Sequence, residues 1–441
     1  MLNSRISSAL KQKIYTFLCY VLLKIALDYA CVTVFYSLGR DMQPNRPLNT
    51  QMISWLLYII QVLFIIIFVE KRNDLLAVLF HLLFILNGVA FYSQYGLKTT
   101  TTLESFVTAA LFWLIFTIAI GVMPKGKKHC QTPSANDGSF SIAQENINTS
   151  EIVLFIGCAV LALELSGVYG NFRMFIRFDD VYSYREDFAN ASVPTVIAYV
   201  IRWLSGVLLP YFFSRFLKCK KWLLAGMALL AGLFMYGIDG LKTTLIIFAV
   251  IIYFFVIFTA KKKIAVHEVY ISMMVVLASG LVAGVLLFKA TGKNLFNGQL
   301  YRVLVIPSQI ADNYFLFIKD GEALLLRESI FRFFADPPYP KSINYMVSSA
   351  DNVVANTGLF GDAYANFKWF GVITYPFLYS AILRKWQTIC DDHVDMVSVS
   401  LGFIMIWNAI NLSFFTWLLT GGVLIFFFLP KLMKVSTRFQ R

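Results

Sequence analysis

Two stretches of this chain concentrate groups able to handle a charged substrate. Residues 171–193 (NFRMFIRFDDVYSYREDFANASV) set Arg173, Arg177 and Arg185 beside Asp179, Asp180, Glu186 and Asp187. Residues 289–367 hold Lys289, Lys293, Arg302, Arg327 and Arg332 among many aromatic side chains. Guanidinium groups are forked, permanently charged donors that match an anion such as a diphosphate. If 173–184 is helical, Arg173, Arg177, Asp180 and Tyr184 share a face. The plainer reading, in which each Arg pairs with a neighbouring carboxylate and stiffens its loop, stays open beside it. A third polar point is Asp239-Gly240-Leu241-Lys242-Thr243, which puts a carboxylate and an amine into one short turn. An ordinary Asp-Gly turn is the alternative there.

The elements that must position these groups are membrane helices. The 441 residues are 58% hydrophobic and 16% aromatic but only 14% charged, with mean hydropathy +0.68. Soluble domains carry about 25% charged residues, so an ordinary soluble enzyme is excluded, as is a disordered chain. Apolar runs of about 20 residues place twelve spans, near 13–37, 52–69, 74–93, 103–123, 151–170, 194–216, 222–238, 243–260, 269–288, 368–383, 395–413 and 414–430. The short pair 222–238 and 243–260 also fits a re-entrant hairpin. Residues 124–150 are polar and Ser/Asn-rich, and read as a flexible connector.

Charge placement orients the spans. The 38 Lys+Arg against 25 Asp+Glu give net +13. Basic residues gather before the first span (Arg5, Lys11, Lys13), after the second (Lys71, Arg72), fourth (Lys125, Lys127, Lys128) and sixth (Lys218, Lys220, Lys221). They recur after the eighth (Lys261, Lys262, Lys263) and tenth (Arg384, Lys385), and at the end of the chain. Every even-numbered connection is basic, which predicts both termini in the cytoplasm and reads the excess as topology rather than nucleic-acid binding. Residues 171–193 and 289–367 then face outward. Within the latter, GEALLLRESIFRFF has a helical stripe of Leu326, Ile330 and Phe333, predicting an amphipathic helix at the interface, stopped by the prolines of DPPYPKS.

Charged groups inside spans are costly and face a cavity or a partner. Lys24 and Asp28, at i and i+4, share a face of the first span. Glu164 and Arg202 each sit roughly 10 Å below the outer ends of their spans, so they could pair. Asn408 and Asn411 lie near the outer end of the eleventh. The inner halves look nearly free of charge, so the expected shape is a polar cavity open outward and closed below by apolar helices. None of the six Cys or four His falls in an expected outer loop, which removes disulfides, zinc sites and His-based triads from that face. No metal or cofactor is expected. No internal repeat is visible, which disfavours transporters built from two similar halves.

The segment NVVANTGLFGDAYANFKWFG (352–371), with Asn356, Gly358, Gly361, Asp362, Tyr364, Asn366, Phe367 and Gly371, resembles the signature near the end of the large outer loop in O-antigen polymerases. The arginine-rich NFRMFIRFDDVYSYRED, the DGLKT turn and YRVLVIP fit the same pattern, so the resemblance covers roughly 165–375. Lys368 stands where the pattern has glycine. The resemblance implies an all-α polytopic integral membrane protein of the GT-C-like class, with about 12 transmembrane helices and one large periplasmic loop containing short helices. It implies one integral membrane domain over 1–441 in the bacterial inner membrane. Its activity would be to polymerise undecaprenyl-diphosphate-linked repeat units into O-antigen or a related surface polysaccharide at the periplasmic face.

A departing diphosphate needs fixed cations, and an acceptor hydroxyl needs a base. On this reading Arg173, Arg177, Arg185 and Arg302 bind diphosphate, with Arg202 lower in the cavity and Lys242 at its level. Glu164, Asp180, Asp312, Asp351 and Asp362 are candidates for base or acceptor positioning. Asn356, Tyr364 and Asn366 contact substrate or shape the loop. Membrane lipids and a chain-length regulator protein are the implied partners, and nucleic acid is not. Two alternatives stand beside it: a flippase or exporter of lipid-linked oligosaccharide, and an O-antigen ligase, whose outer-face histidine has no counterpart here.

Overall fold

The structure is a computed structural model that describes residues 2–125, 147–174, 188, 191, 193–260, 264–294, 297–348, 355 and 357–429, with side chains from Leu10 onward. Among the described residues there are helices and turns and no strand. Nine described helices are long and apolar enough to cross a membrane: α1 (Leu10–Phe35), α2 (Leu48–Arg72), α3 (Leu75–Leu97), α4 (Leu103–Val122), α5 (Thr149–Gly170), α6 (Thr195–Lys218), α7 (Trp222–Asp239), α8 (Lys242–Ala260) and α9 (Val266–Thr291). The chain is an all-α, multi-pass membrane protein, since a helix satisfies its own backbone polar groups where water cannot. These nine coincide with the first nine expected spans. The pair α7 and α8, open to a hairpin reading, forms helices of 18 and 19 residues. Beyond them come α10 (Asn297–Leu304), α11 (Ile306–Ile318), a single turn at Ile343–Met346, α12 (Leu359–Ile389), α13 (Met396–Asn411) and α14 (Phe414–Leu429).

The chain divides into two compact units. The first comprises Met1–Lys125, Ala265–Lys385 and Ala409–Phe415; the second comprises Gly126–Ile264, Trp386–Asn408 and Thr416–Arg441. In the first unit α3 is the core, and its whole apolar stretch is buried, as a helix that is hydrophobic all round must be. Its Phe80, Phe84 and Tyr92 meet Phe116, Trp113 and Phe106 of α4 edge to face, at centroid distances of 5.4, 5.3 and 5.6 Å. Around it, α1 runs along α9, and α2 along α3 and α4. Arg72 is buried at the α2–α3 junction. Its guanidinium donates to the carbonyls of Ile120 and Met123 at the end of α4 (3.1 and 2.6 Å) and to Asp74 (2.9 Å). Asp74 in turn caps α3 through the Ala77 N–H. A residue expected only as a topology marker therefore also closes two helix ends. In the second unit α7 packs on α5 and α6. Its small residues Ala225, Ala228 and Ala231 are buried, and Gly232 meets the Phe248 ring of α8; such small residues let helices approach closely.

The expected amphipathic helix in GEALLLRESIFRFF does not form. Residues 325–334 are successive turns, with Leu325 and Leu326 at φ 50° and 62°. Leu326 is buried while Phe333 and Phe334 are exposed, so the predicted stripe lies on no common face. The reason lies in α12, which breaks at Lys368 (φ 47°, ψ −130°). That break takes the Ala365 and Asn366 carbonyls out of their helical bonds, and the Leu324 and Leu325 N–H groups donate to them at 2.9 and 3.1 Å. Pairing with α12 wins over local helical periodicity.

Lys368 adopts a positive φ that glycine tolerates best. Its ammonium donates to the Gly321 carbonyl at 2.8 Å. Lys368→Ala and Lys368→Gly both remove that bond and differ only in the Cβ. The glycine variant should be the more stable of the two by about 1 kcal/mol, as read from thermal unfolding in detergent.

Candidate functional site

The family-like segment is a joint at the start of α12. Asp362 sits in the first turn, before the expected tenth span. Its Oδ2 accepts the Phe414 N–H at 2.8 Å and its Oδ1 accepts the Asn366 side-chain amide at 2.9 Å. Asn366 Oδ1 accepts the Leu326 N–H at 2.9 Å, so one carboxyl–amide pair ties together the 319–346 segment, α12 and the turn between α13 and α14. Tyr364 is buried, with its ring 4.4 Å from Phe315 of α11. The Gly358 N–H donates to the Ile410 carbonyl at 3.1 Å, and a Cβ at Gly358 would overlap the Ala409 carbonyl. Asn366 and Tyr364 thus shape the loop. Asp362 is 6% exposed. Burial pushes its carboxyl up to about 7, with the Phe414 N–H and the Asn366 amide pulling the other way.

Beside this joint lies an apolar groove of about 470 Å³, lined by Leu326, Phe367, Phe370, Phe377, Phe414 and Phe415 among others. The volume falls within the roughly 300–1,000 Å³ of small-molecule sites. Phe414 belongs to both features: its N–H binds the Asp362 carboxyl and its ring lines the groove.

Asp312 of α11 is 1% exposed. It accepts hydrogen bonds from the hydroxyls of Thr101 (2.8 Å) and Ser105, and it pairs with Lys98 at 3.6 Å. Nearby, the Gln94 amide donates to the Val305 carbonyl at 2.9 Å. These bonds clamp α11 onto the ends of α3 and α4. Arg302, on α10 of the same unit, is exposed.

In the second unit Arg202 does not pair with Glu164. Arg202 pairs with Asp239 at 3.4 Å. Asp239 is held in place because its Oδ1 accepts the Leu241 N–H at 3.0 Å, in a turn whose Gly240 has φ 60°. Glu164 is exposed on α5. Arg173 is half-buried, with its backbone carbonyl so close to Gly237 that a Cβ there would overlap it. Lys242 is half-buried at the start of α8. Arg173, Arg202, Glu164 and Lys242 therefore belong to one unit, and Arg302, Asp312, Tyr364, Asp362 and Asn366 to the other. Arg177, Asp180, Arg185, Asp351 and Asn356 lie outside the described residues.

The first unit holds a polar series longer than the expected Lys24–Asp28 pair. Lys24 and Asp28 pair at 2.8 Å and head that series. The Tyr20 hydroxyl and His81 Nδ1 are 2.7 Å apart. Thr16 donates to Glu70 at 2.9 Å. The signal was present in the sequence as Gln12, Thr16, Tyr20, Lys24 and Asp28, spaced by four. Its partners on other helices were not. No protein-family profile, curated protein or solved structure matches the chain.

The raised Asp362 carboxyl makes stability depend on pH. Its folded value, about 7, lies above the ordinary 3.8, so the fold favours the protonated form. That contribution is complete below about 3.8 and is lost as pH rises through about 7. Thermal unfolding across this range should show falling stability, with a slope of at most about 1.4 kcal/mol per pH unit from this group. Asp362→Asn should flatten that slope.

Proposed function

We propose that the chain is a membrane glycosyltransferase that polymerises undecaprenyl-diphosphate-linked repeat units into a surface polysaccharide. It would work at the periplasmic face of the bacterial inner membrane, through about twelve spans of the GT-C-like class with both termini in the cytoplasm. The observation that carries this reading is the joint at Phe414, which places a carboxyl poised near neutrality beside an apolar groove. The groove suits the first isoprene units of the carrier, and the carboxyl suits an acceptor hydroxyl.

In the proposed reaction the acceptor oxygen attacks the anomeric carbon of the growing glycan. The new glycosidic bond forms as the bond to the diphosphate breaks. The diphosphate leaves with the electron pair, and the hydroxyl proton passes to Asp362. Arg302, in the same unit as Asp362, is the proposed cation for the leaving group. Asp351 is the further candidate for holding the acceptor, and a chain-length regulator is the proposed protein partner.

A second reading, an exporter of lipid-linked oligosaccharide, is favoured by the polar series through the depth of the first unit. Purified protein in vesicles with synthetic lipid-linked repeat units separates the two. A polymerase builds a ladder on the lipid carrier; an exporter moves the glycan across and makes no new bond. Asp362→Asn should cut ladder formation by roughly 10²-fold or more, and Arg302→Gln should also depress it. An undiminished ladder from Asp362→Asn discards the general-base assignment.

A further inference from the structure

We propose that the first unit contains a proton relay running along α1. This proposal does not rest on the glycosyltransferase reading. Gln12, Thr16, Tyr20, Lys24 and Asp28 recur every four residues on α1. From Gln12 to Asp28 the helix rises roughly 24 Å, most of a ~30 Å hydrocarbon core. A spacing of four overshoots one helical turn by about 40°, so the stripe winds and successive members meet different helices.

At the lowest rung, Glu70 at the end of α2 accepts from Thr16 at 2.9 Å. At the middle rung the Tyr20 hydroxyl meets His81 Nδ1 of α3 at 2.7 Å, and the His81 ring stacks on Tyr270 at 3.8 Å. At the upper rung Lys24, 1% exposed, pairs with Asp28 at 2.8 Å and lies over the rings of Trp55 (4.5 Å) and Tyr58 (5.7 Å) of α2. The Tyr58 hydroxyl donates to the Tyr20 carbonyl, joining the middle and upper rungs. The other titratable groups facing the column are Lys13, Cys19 and Cys31.

Ionisable side chains at this depth are costly and mark ion or proton paths. Buried polar atoms need partners; in this column Glu70 Oε2, His81 Nε2 and Asp28 Oδ1 have none among the described residues, as is also true of buried atoms elsewhere such as Gln94 Oε1 and Gln387 Oε1. What sets the column apart is that its open atoms all belong to ionisable groups. One such atom occurs at each rung; along α1 the helix rises about 6 Å from Thr16 to Tyr20 and about 12 Å from Tyr20 to Asp28, a path that a file of bridging waters would complete. In transit, His81 accepts a proton at Nε2 and passes its Nδ1 proton to the Tyr20 oxygen, while the Tyr20 hydroxyl proton moves on toward Asp28. The proton count of each group is restored, and His81 must return from the Nε2–H to the Nδ1–H tautomer before the next proton passes.

The test uses the full chain in phosphatidylethanolamine–phosphatidylglycerol vesicles with a trapped pH-sensitive dye and a potassium diffusion potential set by valinomycin. Wild-type vesicles should acidify or alkalinise, according to the sign of the potential, faster than protein-free ones. Glu70→Gln, Tyr20→Phe and His81→Phe should each slow this flux by roughly 10-fold or more. The first two are near-isosteric, and thermal unfolding of each variant reports its fold. Flux equal to that of protein-free vesicles overturns the relay. So does undiminished flux in variants whose only change is a lower unfolding temperature.

Discussion

A polar group buried away from water must find its partner within the protein. Much of this chain is arranged around that constraint. Where α12 breaks at Lys368, the Ala365 and Asn366 carbonyls lose their helical donors, and Leu324 and Leu325 supply replacements. Where α4 ends, Arg72 reaches its last carbonyls. Where α11 brings a carboxylate against α3 and α4, Lys98, Thr101 and Ser105 surround it. In each case a side chain or segment distant in sequence closes the bond.

The same constraint gives the family-like segment its character. Asp362, Asn366, Tyr364 and Gly358 are joined to three other parts of the first unit, so a short signature acts as a structural joint. Satisfying Asp362 with only two neutral donors leaves desolvation dominant, and its carboxyl rises to about 7. A residue that holds a joint together is thereby also brought to the range in which a carboxyl exchanges protons at neutral pH. The structural and proposed chemical roles of this residue share one physical cause.

The column on α1 shows the opposite balance. Its rungs are only partly closed, and the open atoms Glu70 Oε2, His81 Nε2 and Asp28 Oδ1 are distributed along the depth of the unit rather than gathered at one end. Asp312, also buried, is by contrast surrounded on its own by two hydroxyls and an ammonium. Both features bury charge; in the column the unpartnered atoms belong to ionisable groups at successive levels, which is the basis of the proposed relay.

Apolar runs of about 20 residues and the basic connections between them were enough to place the first nine helices, because span length is set by bilayer thickness and needs no knowledge of neighbours. The i, i+4 pairing of Lys24 with Asp28 was legible for the same local reason. Contacts between helices were not. Arg202 chose Asp239 over Glu164 because a turn at Gly240 holds the Asp239 carboxylate in place. The helical stripe at 321–334 gave way to turns because the carbonyls of α12 were the better acceptors. Periodicity records which face of a helix is apolar, but hydrogen bonds inside a membrane are decided by which donor and acceptor the packed helices bring within 3 Å or so, and only the tertiary structure supplies that.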